Sequence, residues 1–362
     1  MTATTRAPVT GPVSRIDPAT AYRRPPSIPG ALRLDSNEGV LPSRALLGDL
    51  ANADPELLRR YPDVLALEAA LATRLGVAPE RLVVTAGADE AIDRACRAFL
   101  EPGRAILLAD PSFDMFDCSA MLAGGELVRV PWWDDAFPID AFVGRLDALT
   151  AVVAVVSPNN PTGSVATLAD VRRLATAAPG ALVMLDHVYV EYADEDLTSG
   201  VLDLPNVLVL RTLSKAWGLA GCRVGYAVGS PYVVAVLRAA GGPYTVAAPS
   251  VALALSQLER GAGPLAAHVA RVREERRRLS ARLAAAGLVP RRSQANFLLV
   301  ECGPRAASIH AGLAARGVLV RDFPGRRGLE TALRITLPGD ASDFERLSEA
   351  LDGTLDAEGV EP

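Results

Sequence analysis

The chain has 362 residues, of which 50% are hydrophobic and 22% are charged, and its formal net charge at pH 7 is −5. This length suits two domains, or one large domain with an appendage, and this composition provides for a large buried core rather than extended disorder. The acidic balance offers no basic surface for nucleic acid or an acidic membrane, and no apolar run reaches the ~18 residues that span a bilayer. Four widely spaced cysteines form no C-x-x-C pair, which favours a reducing, cytoplasmic compartment over a disulfide framework.

Residues 1–30 are predicted to form an N-terminal tail or arm. The first 26 residues are rich in Thr, Pro and Arg, contain one acidic residue, Asp17, and lack the apolar core of a signal sequence. A transit peptide has a similar compositional bias and is the alternative interpretation of this segment. A solvated tail that packs as an arm on a partner subunit is the preferred interpretation.

Residues 31–262 are predicted to form a large α/β domain. Apolar runs of strand type alternate with segments of helical spacing, beginning with residues 82–85 and then residues 92–100. Further strand-like runs follow at 105–108, 151–156, 181–185 and 207–210. Continuous apolar strands separated by helices are typical of a mainly parallel sheet that is covered on both faces.

Residues 263–362 are predicted to form a smaller C-terminal α+β domain. Apolar residues stripe a long, arginine-rich helix from Ala267 to Ala286, and a glycine follows it. Strand-like runs at 297–300 and 318–320 then alternate with short helices.

The functional interpretation depends on Lys215. It is one of very few lysines, because arginine supplies almost all of the 37 basic residues, and it follows the strand-like run 207–210. Thr212 and Ser214 flank it, and a glycine-rich stretch with Arg223 comes next. A lysine at a strand end beside anion-binding groups is what a Schiff base with pyridoxal phosphate (PLP) requires. A lone lysine is more often a surface residue, so its neighbours must decide between the two interpretations.

The turn at residues 85–89 is a candidate site for the PLP phosphate. It joins a strand to a helix, where free backbone N–H groups and the positive helix end attract anions, and Gly87 permits close approach of the backbone. Thr212, Ser214 and Arg223 can add hydroxyl and guanidinium donors. For Gly87 alone, an ordinary turn glycine is the alternative.

Other motifs offer partners for the PLP ring. Asp186 ends a strand, and a carboxylate there would keep the pyridine nitrogen protonated and the ring electron-poor. A helix cap is the alternative role for this residue. Asn160, in the proline-fixed turn 157–163, and Tyr189 could bind the ring oxygen, and Phe113 follows its strand where an aromatic residue can stack on the ring.

In this order and spacing, the motifs resemble the class I/II aminotransferases, which are PLP-dependent enzymes of fold type I, and within them the histidinol-phosphate aminotransferase branch. The central motifs are SPNNPTG, LDHVYVEY and RTLSKAWGLAGCRVGY, which begin at residues 157, 185 and 211. Further matches cover almost the whole chain: LDSNEG at 34–39, RYPD at 60–63, TAGADEAI at 85–92, QANFLLV at 294–300, VLVRDF at 318–323 and LRIT at 333–336. The resemblance implies a large α/β/α domain with a mainly parallel sheet and a smaller C-terminal α+β domain.

The resemblance also implies a role for each matching residue around the cofactor. Lys215 forms the Schiff base and moves the proton between substrate and cofactor, Asp186 pairs with the pyridine nitrogen, and Asn160 and Tyr189 bind the ring oxygen. Phe113 stacks on the ring. The Ala88 and Asp89 amides, Ser214 and Arg223 hold the phosphate, beside Gly87 and Thr212, which the residues themselves suggest for the same site.

Substrate and subunit contacts follow from the same resemblance. Arg334 clamps the acidic end of the substrate through a bidentate fork, and Tyr22, Asn37 and Arg321 line the substrate pocket. Tyr61 reaches the cofactor phosphate of the neighbouring subunit, which implies a homodimer with shared active sites.

The sequence departs from the family pattern at several positions. His187 and Val188 stand where Glu and Ala are usual, so His187 is either a polar neighbour that tunes Asp186 or a structural histidine. Phe113 replaces a common tyrosine, which keeps stacking and loses a hydroxyl group. The run LDSNEGVLPS lacks the usual second Asn-Pro and a glycine near residue 41, and Leu337-Pro338 alters the turn after Arg334.

Three functional hypotheses follow. The first is an aminotransferase that moves an amino group between an amino acid or amine phosphate and a 2-oxo acid such as 2-oxoglutarate. The second keeps the fold and the cofactor but takes an aromatic or unusual amino acid of a specialised pathway, with decarboxylation or oxidation as other outcomes. The third is a nucleotide-binding oxidoreductase, but residues 218–225 lack the G-x-G-x-x-G spacing. No metal site is predicted from the scattered histidines His187, His268 and His310.

Overall fold

The computed structural model describes Ile16 and residues 28–357. The strands are β1 (Leu32–Leu34), β2 (Leu82–Thr85), β3 (Ala105–Asp110), β4 (Glu126–Pro131), β5 (Thr150–Val156), β6 (Leu182–Asp186), β7 (Val207–Thr212), β8 (Gly225–Gly229), β9 (Val289–Pro290), β10 (Phe297–Glu301), β11 (Val318–Val320) and β12 (Ala332–Thr336). The helices are α1 (Ala45–Ala51), α2 (Glu56–Arg59), α3 (Leu65–Leu75), α4 (Ala88–Phe99), α5 (Asp114–Ala123), α6 (Ile139–Val143), α7 (Leu168–Ala177), α8 (Thr198–Val201), α9 (Pro231–Ala240), α10 (Ala248–Arg260), α11 (Ala262–Ala285), α12 (Ala306–Ala315) and α13 (Ala341–Ala357).

A seven-stranded sheet forms the centre of the fold, with the strand order β2-β8-β7-β6-β5-β3-β4. The five strands from β7 to β4 pair in parallel, whereas β8 is antiparallel to both of its neighbours. The predicted mainly parallel α/β sheet is confirmed. Each strand-like run predicted between residues 82 and 210 overlaps one of these strands, because apolar, β-branched residues suit a sheet that is buried on both faces.

Both faces of the sheet are covered by helices. Along β5, Ala154 and Val156 pack into a core that includes residues of α4, α5 and α9. Their neighbours Val153 and Val155 point to the opposite core, which includes residues of α6 and α7. Successive residues of a strand face opposite sides, so β5 contributes to both cores and has no solvent-facing side.

The C-terminal elements surround a separate core. Strands β12, β10 and β9 form an antiparallel sheet, and β1 pairs in parallel with β11. Leu279 and Leu283 of α11 pack there against Phe297 of β10 and Leu347 of α13. The pairing of β1 brings the chain that follows it, residues 35–39, towards the central sheet. The division into domains of residues 31–262 and 263–362 stays a prediction.

The carboxyl ends of the parallel strands define the position of the candidate site. The chain leaves β3 towards Phe113, β5 towards Asn160, β6 at Asp186 and β7 towards Lys215. In open α/β sheets, ligands bind at this edge because the loops that follow the strands converge there. Among the described helices, none is both long and apolar enough to cross a membrane.

Candidate active site

A cavity of about 220 Å³ lies at this edge of the sheet. Most of the residues predicted from the sequence line it: Asn37, Ala88, Asp89, Phe113, Asn160, Asp186, Tyr189, Thr212, Ser214, Lys215, Arg223, Arg321 and Arg334. Loops from at least five strands therefore bring together side chains that are up to 297 positions apart between Asn37 and Arg334. Tyr22 lies outside the described residues.

Lys215 lies in the loop after β7 and is the only lysine in the sequence. Its Nζ donates a hydrogen bond of 3.3 Å to the backbone oxygen of Ser36 and lies 5.6 Å from the ring centroid of Tyr189. The segment that carries Ser36 crosses the lysine loop at very close range, because a Cβ on Gly39 would lie 1.7 Å from the backbone oxygen of Lys215. A glycine is required at residue 39 for this crossing.

Asp186 is buried at the end of β6, with 1% of its surface exposed. Its Oδ1 accepts a hydrogen bond of 3.3 Å from the Val188 N–H, whereas its Oδ2 has no hydrogen-bond partner in the described part of the chain. The pKa of Asp186 is raised to about 7, chiefly by burial; the Val188 N–H opposes the rise, the Asp89 carboxylate contributes to it, and the charge of Lys215 opposes it. This is the environment of a carboxylate that lacks a cationic partner.

The turn before α4 presents a candidate anion site. Gly87 precedes the helix with φ of 82° and provides no side-chain cap, so the first N–H groups of α4 remain available to an anion. Arg223 reaches over this turn, where its Nη1 lies 3.4 Å from Ser214 Oγ and its Nη2 lies 3.1 Å from Asp89 Oδ2. A Cβ on Gly87 would lie 2.6 Å from Arg223 Nη2, so the arginine packs directly on the glycine.

Asn37 and Tyr189 meet in the cavity. Asn37 Nδ2 donates to the Tyr189 hydroxyl group at 2.9 Å, and both side chains are buried. The Thr336 hydroxyl group holds Asn37 by donating to its Oδ1 at 3.0 Å and accepting from its N–H at 3.1 Å. Asn37, which the sequence predicts in the substrate pocket, thus directly orients Tyr189, which the sequence predicts at the cofactor ring.

Asn160 and Arg334 are also joined. Arg334 Nη1 donates to Asn160 Oδ1 at 2.6 Å, and Arg334 Nη2 donates to the backbone oxygen of Asp35 at 2.7 Å. The guanidinium carbon lies 5.4 Å from the centroid of the Phe297 ring. Arg321 is the backbone partner of Arg334 in an isolated antiparallel bridge, so the two arginines enter the cavity from adjacent positions.

His187 is a structural histidine, as one of its two interpretations predicts. Its Nδ1 lies 2.5 Å from the Ser157 carbonyl oxygen, which can only accept, and its Nε2 lies 3.1 Å from the Leu197 N–H, which can only donate. These partners select the neutral Nδ1–H tautomer. Burial and then the Arg211 charge lower the pKa of His187 to about 4. The ring therefore ties the turn of Asn160 to the end of β6.

Tyr61 lies outside the cavity of its own chain. Its side chain is 80% exposed, and its ring stacks on Tyr244 at a centroid distance of 4.6 Å. Its expected contact with the cofactor of a second subunit stays a prediction.

Sequence reasoning missed several residues that line the cavity: Asp35, Ser36, Ser112, Asp114, Pro161, Phe323 and Arg326. The first two belong to the LDSNEG run, where their position beside Asn37 is a usable signal. Arg326 lies in no recognised motif, so nothing in the sequence distinguishes it from the other arginines.

The residues present fit PLP on chemical grounds. The buried, unpartnered Oδ2 of Asp186 suits a protonated ring nitrogen, which would provide the missing cationic donor. The N-terminal amides of α4, Ser214 and Arg223 suit a phosphate. Lys215 provides the only lysine amine for the aldehyde.

Comparisons with known proteins agree with this fit. The family described as aminotransferase class I and II matches residues 30–351. A histidinol-phosphate aminotransferase of Stenotrophomonas maltophilia is 38% identical over 91% of each chain, and an aromatic amino acid aminotransferase of Mycobacteroides abscessus is 35% identical over 91% of this chain and 96% of that protein.

Among solved structures, the histidinol-phosphate aminotransferase of Sinorhizobium meliloti in complex with pyridoxal-5'-phosphate superposes with a TM-score of 0.80. It is 26% identical, and the alignment covers 91% of each chain. The chain therefore belongs to the class I and II aminotransferases, enzymes of fold type I that use pyridoxal phosphate as their cofactor.

Proposed function

We propose that this enzyme moves an amino group between an amino acid or amine phosphate and a 2-oxo acid such as 2-oxoglutarate, in the manner of a histidinol-phosphate aminotransferase. The observation that carries the proposal is the pair Arg321 and Arg334, which line the same cavity as Lys215. Guanidinium groups suit carboxylate and phosphate groups of substrates. In the described part of the chain, Arg321 has no carboxylate within ion-pair distance, which leaves its charge to a substrate anion.

Lys215 is the proposed attachment point for the cofactor aldehyde and the base that moves the proton at the substrate carbon. Its hydrogen bond to the Ser36 oxygen supports this role, because it holds the amine inside the cavity, where Nζ lies 5.6 Å from the centroid of the Tyr189 ring. Bound PLP supplies an electron-poor ring that stabilises negative charge on the substrate carbon.

The remaining cofactor contacts follow from the positions of the polar groups. Asp186 is proposed to hold the ring nitrogen in its protonated form, and Asn160 and Tyr189 to bind the ring oxygen. Phe113 is proposed to stack on the ring. The proposed phosphate site consists of Gly87, Ala88, Asp89, Thr212, Ser214 and Arg223, with the Ala88 and Asp89 amides at the positive end of α4.

Arg334 is proposed to bind the carboxylate of an amino-acid substrate. Its bonds to Asn160 and Asp35 and its position over the Phe297 ring fix the guanidinium plane before a substrate arrives. A preorganised fork loses less side-chain entropy on binding. Arg321 is then available to a second, distal anion such as a phosphate group.

We further propose a homodimer with shared active sites. Apolar side chains that are more than half exposed cluster in the sequence around Tyr61: Leu41, Leu47, Leu58 and Leu65. Exposed apolar surface of this kind suits a protein interface. A mixing experiment tests the shared site. Inactive Lys215→Ala and weakened Tyr61→Ala proteins, unfolded and refolded together, should regain activity, because one site of each heterodimer has both native residues. No gain on mixing would contradict a shared site.

A second candidate is an aminotransferase for aromatic amino acids. Phe113 and Phe323 both line the cavity and offer apolar walls to an aromatic side chain, and relatives of this activity are 35–37% identical. This candidate gives Arg321 no distal anion to bind.

Single-turnover conversion of the cofactor distinguishes the two candidates. Histidinol phosphate and L-phenylalanine are each mixed with the holoenzyme, and the cofactor absorbance is followed with wild type and Arg321→Gln. If histidinol phosphate is the donor, it converts the cofactor faster, and Arg321→Gln slows it by about 10- to 100-fold while leaving phenylalanine unchanged. The opposite preference, with no effect of Arg321→Gln, favours the aromatic candidate. Release of CO2 or consumption of O2 without conversion to the amine form of the cofactor would contradict amino-group transfer.

A further inference from the structure

The cavity contains a third arginine, Arg326, on the segment between β11 and β12. Two turns shape this segment, because the Arg326 N–H donates to the Phe323 oxygen at 3.2 Å and the Leu329 N–H donates to the Arg326 oxygen at 2.9 Å. Phe323 and Leu329 are buried together with Leu299 in a small apolar cluster. Arg326 therefore lies in a compact loop that is held on both sides by the buried side chains of Phe323 and Leu329.

Arg326 contacts both flanks of Phe113. Its Nη2 donates to the backbone oxygen of Ser112 at 2.7 Å, and its Nη1 forms an ion pair with the carboxylate of Asp114. The Arg326 side chain is 23% exposed but that of Asp114 is 60% exposed, so solvent screens the ion pair, and the part-buried bond to the Ser112 oxygen is the better shielded of the two contacts. One planar fork thus spans the residues on either side of the aromatic ring.

The Phe113 ring has no polar atom, so its position is set by packing against the core that contains Phe116 and by the polar contacts of its two neighbours. On the other side of the segment, Asn159 Nδ2 donates to the Pro111 oxygen at 3.0 Å and Asn159 Oδ1 accepts from Ser112 Oγ at 3.1 Å. Asn159 comes from the central sheet, whereas Arg326 comes from the C-terminal elements. Without Arg326, the segment is held by polar side-chain contacts from the sheet side alone.

We infer that Arg326 is a positioning residue that clamps the Phe113 segment and fixes the ring over the cofactor. The inference rests on the proposed function in that Phe113 stacks on PLP. It also links the segment that carries the proposed substrate arginines, Arg321 and Arg334, to the wall of the cofactor site. Arg326 acts through Phe113 and needs no contact with the substrate.

The neighbouring residue Arg327 provides a matched control. It belongs to the same loop and carries the same charge, but it is exposed and lines a separate cavity of about 550 Å³ with Trp133 and Arg291. A substitution there changes the net charge equally and leaves both flanks of Phe113 in place.

Hydrogen exchange of the cofactor-free protein tests the clamp independently of turnover. In Arg326→Gln, amides of residues 112–118 should exchange about tenfold or more faster than in wild type, whereas Arg327→Gln should match wild type. Arg326→Lys keeps the charge but has no fork, so its exchange should be intermediate. If Arg326→Gln does not fold, Asp114→Asn removes the other half of the pair and should also speed exchange. Wild-type protection in a folded Arg326→Gln protein would overturn the inference.

The holoenzyme, with PLP bound, provides a second test of the clamp. In Arg326→Gln, the visible circular dichroism of the bound cofactor should weaken and kcat should fall about tenfold, with a smaller change in the KM of the amino donor. Adding Asp114→Asn should cause little further loss, because the two residues act as one unit. Fully additive losses would contradict the clamp. If no amino donor converts the cofactor, the proposed function fails, and the exchange experiment still decides the role of Arg326.

Discussion

Lys215 Nζ donates a hydrogen bond to the backbone oxygen of Ser36, a residue 179 positions earlier in the chain. The contact exists because β1 pairs with β11, far from the parallel sheet that carries Lys215, and the following residues then cross the lysine loop at Gly39. The amine is thus oriented by a segment that belongs to neither of its flanking strands. This arrangement restricts the lysine before cofactor and substrate arrive, which is how binding sites lower the entropic cost of positioning.

The single lysine makes the first prediction unusually specific. Treating the holoenzyme with borohydride should attach the cofactor irreversibly to Lys215 and to no other side chain, because the chain contains no second lysine. Lys215→Ala and Lys215→Arg should both prevent attachment and lower turnover by about 10²–10⁴-fold or more. Peptide mass mapping locates the adduct. Lys215→Arg is the control for charge, and a reduced adduct in either variant would contradict the assignment of the amine.

Asp186→Asn should have opposite effects on stability and on activity. The pKa of Asp186 is raised from its usual value of 3.8 to about 7 in the cofactor-free protein, mainly by burial. The folded state therefore binds more protons than the unfolded state between these pH values, and the carboxylate costs stability as the pH rises from 4 to 7. At 1.36 kcal/mol per pKa unit, this cost reaches about 4 kcal/mol.

Denaturation and turnover measure the two effects separately. At pH 8, the free energy of unfolding of cofactor-free Asp186→Asn should exceed that of wild type by a few kcal/mol, and the difference should vanish near pH 4. Turnover should fall by roughly 30- to several-thousand-fold, because about 2–5 kcal/mol is lost when a buried charge pair loses one partner. A destabilised variant at pH 8 would show that Asp186 has a favourable partner in the cofactor-free protein.

The sequence predicts the cofactor side of the site better than the substrate side. Asp186 ends a buried parallel strand, and Asn160 and Lys215 follow two others. Parallel strands of one sheet present their carboxyl ends at the same edge, so local patterns suffice to bring these residues near one another. The pairing of β1 with β11 and the contact between Asn37 and Tyr189 join distant parts of the chain, and no local periodicity encodes them.

Arg326 shows most clearly which site residues the sequence cannot predict. Its partners Ser112 and Asp114 are more than 200 positions away, and its neighbour Arg327 has the same residue type but a different environment. Only the two turns of its loop decide which arginine faces the cavity. Residue type and motif spacing contain no information on such a choice.

His187 should make the stability of the protein depend on pH in a defined window. Its pKa falls from a usual value of 6.5 to about 4, first through burial and then through the charge of Arg211. Between pH 4 and 6.5 the unfolded state binds more protons than the folded state, so the stabilisation is complete above pH 6.5 and is lost as the pH falls. The shift corresponds to about 3 kcal/mol.

A comparison of pH profiles isolates this contribution. His187→Asn keeps an N–H donor near the Ser157 oxygen but does not titrate, so its free energy of unfolding should vary less than that of wild type between pH 4 and 6.5. Denaturant unfolding at several pH values measures both profiles. Other titrating groups are common to both proteins and cancel in the difference. Parallel profiles would show that His187 does not change its protonation on unfolding.

Gly225→Ala should damage the proposed phosphate site without removing any polar group. A Cβ at residue 225 would lie 2.4 Å from the carbonyl carbon of Gly87 and 2.5 Å from the Ala88 nitrogen, so β8 or the turn before α4 must move. Overpacking of this kind typically costs about 1–3 kcal/mol, and here the atoms that must shift are the backbone of the anion site.

Equilibrium titration of the cofactor-free protein with PLP measures the consequence. Gly225→Ala should weaken PLP binding about tenfold or more and should lower the stabilisation by inorganic phosphate in thermal unfolding. Gly221→Ala is the matched control, because a Cβ there meets no atom within 4 Å and the residue lies only four positions earlier in the chain. Its affinity for PLP should equal that of wild type. Equal losses in both variants would trace the effect to chain stiffness, and unchanged binding in Gly225→Ala would remove the turn of Gly87 and Ala88 from the phosphate site.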